Sequence, residues 1–155
     1  MFKSKNGIAN KVIREMEGGN TPKISQVPTP NIIWVNGSFD VVHAGHIELF
    51  KYARSVGDYL VVGTDTDKRI RELKGPTRPI NKQIHRLSML NAIKYIDKVV
   101  TFGSLEEQLI CMEKSGAKTL VIGSDYKDKP VVGEDRMEVI YFDRIDDLST
   151  TNIVS

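Results

Sequence analysis

The strongest constraint on the fold is an alternation of short apolar runs with longer amphipathic segments. Five runs rich in Val and Ile lie at residues 32–35, 59–63, 99–102, 120–123 and 138–142. Runs of this length and composition are typical of strands that are buried on both faces of a sheet. Strands that alternate with helices pair in parallel through right-handed crossovers. The pattern therefore predicts an α/β fold with a doubly wound, mostly parallel sheet of five strands.

Apolar residues at helical spacing fill the gaps between the predicted strands. The first such segment is followed by Gly57, a residue type that helix C-termini favour, and a second begins near Asn81. Between the second strand and Asn81 we predict a loop, because Gly75 and Pro76 break regular structure. The apolar positions that define the three helices are Leu49, Phe50, Ala53 and Val56, then Ile84, Leu87, Leu90 and Ile93, then Leu105, Leu109 and Met112.

The length of 155 residues corresponds to one domain, but the first thirty residues differ from the rest. They combine a short amphipathic pattern, Gly-Gly-Asn at 18–20 and prolines at 22, 28 and 30. Gly and Pro at this density break regular structure. We predict an N-terminal helix and linker over residues 1–30, with a mobile tail as the alternative, and one globular domain over residues 31–155.

Charge and cysteine content exclude several classes of function. Lys and Arg number 22 against 20 Asp and Glu, and this net charge of +2 is too small to predict nucleic-acid binding. The single cysteine, Cys111, excludes an internal disulfide and a multi-cysteine metal site, and its apolar neighbours predict a core position. The charged N-terminus and the absence of an apolar run of about 18 residues predict a cytoplasmic protein with no membrane association.

The sequence His43-Ala44-Gly45-His46 directly follows the first predicted strand and its glycine turn. A helix that starts here favours an anion, because its first N–H groups and its dipole point toward the strand end. Imidazoles donate hydrogen bonds to phosphate oxygens, so the pattern indicates catalysis on a phosphate. One alternative is a pair of structural capping histidines, and a second, metal binding, needs more ligands than this spacing supplies.

Residues 37–46, which read Gly-Ser-Phe-Asp-Val-Val-His-Ala-Gly-His, resemble the signature of the nucleotidylyltransferase superfamily, whose cytidylyltransferase-like members have a Rossmann-like fold. The resemblance runs from about residue 32 to residue 154. Several ordered matches are more specific than one tetrapeptide. The later landmarks are Asp67, Lys74 with Gly75, residues 78–81 with Arg78, Arg86, residues 123–126, and residues 149–153.

The resemblance implies that a phosphorylated acceptor attacks the α-phosphate of ATP or CTP and releases pyrophosphate. It implies Mg²⁺ that is held by phosphate oxygens and water rather than directly by the protein, and it implies a homodimer. Asp40 and Asp67 are expected to hold loops, orient hydroxyls or help position the metal, since bare carboxylates repel a triphosphate. The implied catalytic residues are His43, His46 and Lys74, and the phosphate contacts are Arg78, Arg86 and Arg144. The implied nucleotide-binding residues are Gly37, Ser38, Phe39, Gly45, Gly123, Asp125, Ser149, Thr150 and Thr151.

The resemblance leaves two subfamilies open, and they differ in the nucleotide and in the acceptor that they use. Residues 74–81, 123–126 and 149–153 look most like the heptose 1-phosphate adenylyltransferases that make ADP-heptose. That type usually has a lysine where this chain has Ile122, and Arg144 instead resembles an arginine of the glycerol-3-phosphate cytidylyltransferases. We expect the heptose type, with the glycerol phosphate type as the alternative.

Two hypotheses from other classes of function are less well supported by the sequence. A nucleotide-binding module without turnover is the first, and the intact His43 and His46 pair counts against it. A dinucleotide-dependent oxidoreductase is the second, and no G-x-G-x-x-G sequence follows the first predicted strand.

Overall fold

A computed structural model describes residues 28–143 of the chain. Its centre is a five-stranded sheet in which every neighbouring pair of strands is parallel. The predicted α/β fold is therefore confirmed, and the sheet is wholly rather than mostly parallel. The strands are β1 (Ile32–Gly37), β2 (Tyr59–Asp65), β3 (Lys98–Phe102), β4 (Thr119–Gly123) and β5 (Glu138–Phe142).

Four helices connect the described strands, one more than the sequence predicts. The unpredicted helix, α2, starts directly after Thr66. The Thr66 hydroxyl accepts a hydrogen bond from the backbone N–H of Arg69 and so caps the helix. Its sequence shows no periodic apolar pattern, because Ile70 is its one buried residue. The helices are α1 (Ala44–Ser55), α2 (Asp67–Lys74), α3 (Gln83–Asn91) and α4 (Leu105–Ser115).

The sheet carries one apolar core on each face. On one face, α1 and α3 cover a cluster that contains Phe50, Leu60 and Leu90, each fully buried. On the other, α4 covers a cluster built around Trp34. Cys111 is half-buried beside this second cluster, where its Sγ lies 3.8 Å from the carbonyl oxygen of Thr101.

Two local predictions need correction. Ile84 is 72% exposed and does not belong to the buried stripe of α3, whose buried residues are Arg86 and Leu90. Gly57 follows α1 as predicted, but it does not have a left-handed backbone. Glycine is needed there because a Cβ atom would lie 2.4 Å from the Ile33 side chain.

The strand order is β3-β2-β1-β4-β5, so the winding direction reverses between β1 and β4. The ladder between these two strands pairs Ile33 with Thr119 and Trp34 with Leu120. Ligands of open parallel sheets bind in the crevice beyond the carboxyl ends of the strands at such a reversal. The fold thus points to the ends of β1 and β4, and to the loops beside them, as the place for a site.

The predicted appendage at residues 1–30 lies outside the described residues except for its last three positions. Within residues 28–143, no helix is both long enough and apolar enough to span a bilayer.

Candidate active site

The turn after β1 has a backbone that few side chains adopt. Phe39 has a φ of +46°, in the left-handed region that non-glycine residues occupy uncommonly. The residue is 5% exposed, and a Cβ atom on Gly37 would lie 3.1 Å from its ring. The side chain of Phe39, which the sequence assigns to nucleotide binding, is therefore a buried support of the turn. Unusual backbone geometry that the surroundings hold in place is common at functional sites.

His43 and His46 cap α1 reciprocally. Nδ1 of His43 accepts a hydrogen bond from the Gly45 N–H at 3.0 Å, and Nδ1 of His46 accepts one from the His43 N–H at 3.1 Å. The two ring centroids are 3.9 Å apart, and the His46 ring meets the edge of the Phe39 ring. The structural alternative for these histidines is thus correct for their Nδ1 atoms.

The same caps determine what the rings can donate. A nitrogen that accepts a hydrogen bond carries no proton, so the proton of each neutral imidazole lies on Nε2. Protonation of Nδ1 would remove the cap, and the cap therefore requires the neutral ring. The N–H groups of Gly45 and His46 are also engaged, with Nδ1 and the carbonyl oxygen of His43 respectively. In each neutral ring, Nε2–H is therefore the side-chain donor.

Asp40 fastens the loop before α3 to the turn after β1. Its carboxylate accepts hydrogen bonds from the N–H groups of Ile80 and Asn81 at 2.9 and 2.8 Å. Nε of Arg78 lies 3.1 Å from the same carboxylate, and the Asp40 side chain is 1% exposed. This geometry fits the expected supporting role, and it holds Arg78 at the turn.

Arg86 connects the same turn to β2 from within the protein. Its side chain is 1% exposed, and it donates to the carbonyl oxygens of Ser38 and Asn81 and to the Thr64 hydroxyl at 2.8 to 3.0 Å. The Thr64 hydroxyl itself donates to the Ser38 carbonyl. A guanidinium with this many internal acceptors orders the loops around the site.

Asp67 completes the Arg86 network. Its Oδ1 atom accepts from Arg86 and from the Gln83 N–H, both at 2.8 Å. Burial opposes the charge of this carboxylate, but hydrogen bonds from Arg86 and Gln83, with the charges of Arg86 and Arg71, outweigh burial and lower the pKa of Asp67. Asp67 therefore joins the first turn of α2 to the first turn of α3.

Lys74 is the last residue of α2 rather than part of a loop. Its Nζ atom donates to the Ser38 hydroxyl at 2.9 Å, which brings the cation to the turn after β1. Burial lowers the pKa of Lys74, and the positive charge of Arg78 lowers it further, against the opposing effect of Asp40 and Asp65. A partly desolvated cation at this position is suited to an incoming phosphate.

Other predicted site residues lie apart from this network or outside the described residues. Gly123 ends β4, across the reversal point from Gly37, and Asp125 follows it in an exposed 3₁₀ turn at Ser124–Tyr126. The predicted residues outside the described part are Arg144, Ser149, Thr150 and Thr151.

Sequence reasoning did not assign roles to Thr64, Asn81 or Asp65, although each lies in a segment that it singled out. The strand-end rule identifies residues 64–67 as rim residues. It does not show which of them bond to the loops, because that depends on the positions of Arg86 and Arg69.

The carboxylates of the turn do not fit direct metal ligation. Residues 28–143 contain no group of three His, Cys, Asp or Glu side chains that could hold a metal ion. Asp40 and Asp67 already accept hydrogen bonds from backbone N–H groups and ion pairs from Arg78 and Arg86.

Comparisons with known proteins bear on the family of the chain. Residues 34–154 match the model of the cytidylyltransferase-like family. The chain is 42% identical over 125 residues to the bifunctional protein HldE of Campylobacter fetus and 38% identical over 137 residues to that of Marinomonas sp.. These alignments cover 80% and 85% of the chain, but the chain spans only 27% and 29% of the two relatives.

Solved structures share the fold at low sequence identity. A lipopolysaccharide core biosynthesis protein from Thermoplasma volcanium has a TM-score of 0.64 at 22% identity, over 76% of this chain and all of that one. Pantothenate synthetase from Thermus thermophilus has a TM-score of 0.61 at 15% identity, over 84% of this chain and 64% of that one. The match of the family model over most of the chain, together with the HldE relatives, shows that the chain belongs to the cytidylyltransferase-like family of nucleotidyltransferases.

Proposed function

We propose that the chain transfers AMP from ATP to heptose 1-phosphate and so makes ADP-heptose. A phosphate oxygen of the acceptor forms a bond to the α-phosphorus, the bond from that phosphorus to the bridging oxygen breaks, and pyrophosphate leaves. The observation that carries the proposal is the His43 and His46 pair at the start of α1, whose Nδ1 atoms accept the capping hydrogen bonds, so that in each neutral ring Nε2 carries the proton. The likeness of residues 74–81, 123–126 and 149–153 to the heptose type supports this choice of acceptor.

The protein groups act by positioning and by charge. Nε2–H groups of His43 and His46 donate to oxygens of the α-phosphate, on which charge grows during transfer. Lys74 and Arg78 attract the phosphates of the two substrates, since both are cationic and both reach the turn after β1. Arg86 acts differently: because its donors are engaged inside the protein, we assign it to holding the turn rather than to binding phosphate directly.

Several finer statements belong to the same proposal. Mg²⁺ would enter on the triphosphate, held by phosphate oxygens and water, and would neutralise part of its charge. Gly37, Ser38, Gly45, Gly123 and Asp125 are proposed to line the nucleotide site. We assign Ser149, Thr150 and Thr151 to the nucleotide and Arg144 to phosphate on the resemblance alone. A homodimer in the cytoplasm is the proposed form of the protein.

The test is pyrophosphate release with Mg²⁺ from ATP and from CTP, each paired with heptose 1-phosphate and with glycerol 3-phosphate. The variant His46→Ala provides the blank. We expect release with ATP and heptose 1-phosphate. Release with CTP and glycerol 3-phosphate alone would replace the proposal with the alternative that Arg144 favours, and nucleotide binding without release from any pair would indicate a binding module.

A further inference from the structure

Asp65 lies at the same edge of the sheet as the candidate active site but has no part in the reaction described above. It is the last residue of β2 and pairs in register with Phe102, the last residue of β3. Side chains alternate along a strand, so Thr64 faces Arg86 on one side of the sheet. Asp65 faces the other side, where Arg69 forms an ion pair with it and also lies over the Phe102 ring.

The Asp65 carboxylate is mostly buried, and few donors within the protein offset the loss of its hydration. Its side chain is 14% exposed, and Nε of Arg69 lies 3.2 Å from its Oδ1 atom. The backbone N–H of Asp65 also bonds to this carboxylate, and Arg69 is its one side-chain partner among residues 28–143. Burial raises the pKa of Asp65, although Arg69, Lys74 and Arg86 act in the opposite direction. A partly desolvated carboxylate with a single side-chain partner is a strong acceptor for hydroxyl groups.

The position of Asp65 at the end of β2 favours contact with the acceptor rather than with the nucleotide. The crevice between β1 and β4 is the side for the nucleotide. β2 lies on the other side of β1 from β4. Helix α2 follows β2, and Lys74 at its end donates to Ser38. In-line transfer requires the acceptor to approach the α-phosphorus from the side away from the leaving pyrophosphate. Lys74 attracts a substrate phosphate in the proposed reaction, and its charge interacts with that of Asp65. With the nucleotide assigned to the other side of β1, we assign the acceptor to the ends of β2 and α2, where Asp65 lies.

We propose that Asp65 selects the acceptor by binding hydroxyl groups on its non-phosphate part, an inference that rests on the proposed transfer reaction. A carboxylate repels phosphate, so it orients the acceptor with its phosphate toward Lys74 and its hydroxyls toward β2. Sugar and polyol phosphates present adjacent hydroxyls to such a group, whereas a simple alkyl phosphate presents none. Asp65 thus acts both by attraction of the correct acceptor and by rejection of a reversed one.

The test compares two acceptors in the wild type and in Asp65→Asn. One is the acceptor that reacts best with its nucleotide in the pyrophosphate assay, and the other is ethyl phosphate. A hydrogen bond to a charged group accounts for about a ten- to hundredfold effect. We expect kcat/KM for the hydroxylated acceptor to fall by about that factor, with ethyl phosphate and the KM of the nucleotide little changed. The selectivity between the acceptors then falls by the same factor.

Two further variants separate selection from structure. Arg69→Gln removes the ion pair but keeps the carboxylate, so it should preserve the selectivity between the acceptors. Asp135→Asn makes the same chemical change at an exposed position before β5 and should alter neither acceptor. Equal losses for both acceptors in Asp65→Asn, repeated by Arg69→Gln, would show that Asp65 merely holds α2 and would overturn the inference.

Failure of the inference and failure of the proposed function give different results. A wild-type protein that releases no pyrophosphate with any acceptor overturns the proposed function and this inference with it. A wild-type protein that turns over, with an unchanged acceptor selectivity in Asp65→Asn, overturns the inference alone.

Discussion

At the scale of single residues, the cap that each histidine of the motif forms also bears on the catalytic role that we propose for it. Nδ1 of each ring accepts a backbone N–H and fixes the first turn of α1. The acceptor role places the proton of the neutral ring on Nε2. Structural capping thereby determines both the tautomer and the orientation of the ring, and the Phe39 and His46 rings pack edge to face.

The first prediction at this scale concerns His46→Ala. We expect kcat to fall by about 10²- to 10³-fold, the usual loss when one donor to a charged transition state is removed. Loss of the cap should also lower the free energy of unfolding by about 0.5–2 kcal/mol. Steady-state kinetics at saturating substrate and urea denaturation measure the two effects.

His85→Ala is the matched control, because His85 is the third histidine of the chain and is exposed on α3. This variant should keep both kcat and stability close to those of the wild type. Near-normal turnover in His46→Ala would contradict the mechanism, whatever the change in stability.

At the scale of elements, the strands were predictable and the polar connections were not. The fifth strand was predicted at its observed bounds, and the others differ by one or two residues at an end, because uninterrupted Val and Ile runs have few alternatives in a globular chain. Helix α2 lacks such a signal, since charged side chains fill it and Thr66 starts it. Arg86 shows the same limit: helical spacing places it on α3 but cannot reveal that it turns inward to Ser38 and Thr64.

Helix α2 carries the cation of the site at its C-terminal end, which leads to a prediction about pH. Burial and the charge of Arg78 lower the pKa of Lys74, so its positive charge is lost as the pH rises through a value below that of an ordinary lysine. We expect kcat/KM to fall on the alkaline side, beginning below the ordinary lysine value of about 10.4.

The variant Lys74→Arg tests this assignment, since a guanidinium remains protonated throughout the same range. Its kcat/KM should be lower than that of the wild type near pH 8 but should stay flat through the alkaline range. Lys118→Arg, the same change just before β4, should keep the wild-type profile. An unchanged alkaline decline in Lys74→Arg would assign the decline to another group.

At the scale of the whole molecule, one sheet separates two cores and supports the site at its edge. β1 contributes Ile33 and Val35 to one core and Trp34 to the other. The same strand leads into the turn that holds Phe39 and the histidines. Loss of packing on either face must therefore disturb the strand that both cores and the site share, and the described part of the chain should unfold as one cooperative unit.

The adjacent residues Leu90 and Met89 on α3 test that cooperativity. Leu90 is fully buried in the core opposite Trp34, whereas Met89 is 56% exposed. We expect Leu90→Ala to lower the free energy of unfolding by about 2–5 kcal/mol and Met89→Ala to change it by less than about 0.5 kcal/mol.

Two probes follow the two cores separately. Trp34, the single tryptophan of the chain, reports by fluorescence on the core opposite Leu90, while circular dichroism reports on all helices. In urea, both signals of Leu90→Ala should shift to the same lower midpoint. A fluorescence midpoint that stays at the wild-type value while the circular dichroism midpoint falls would show that the two faces of the sheet unfold separately.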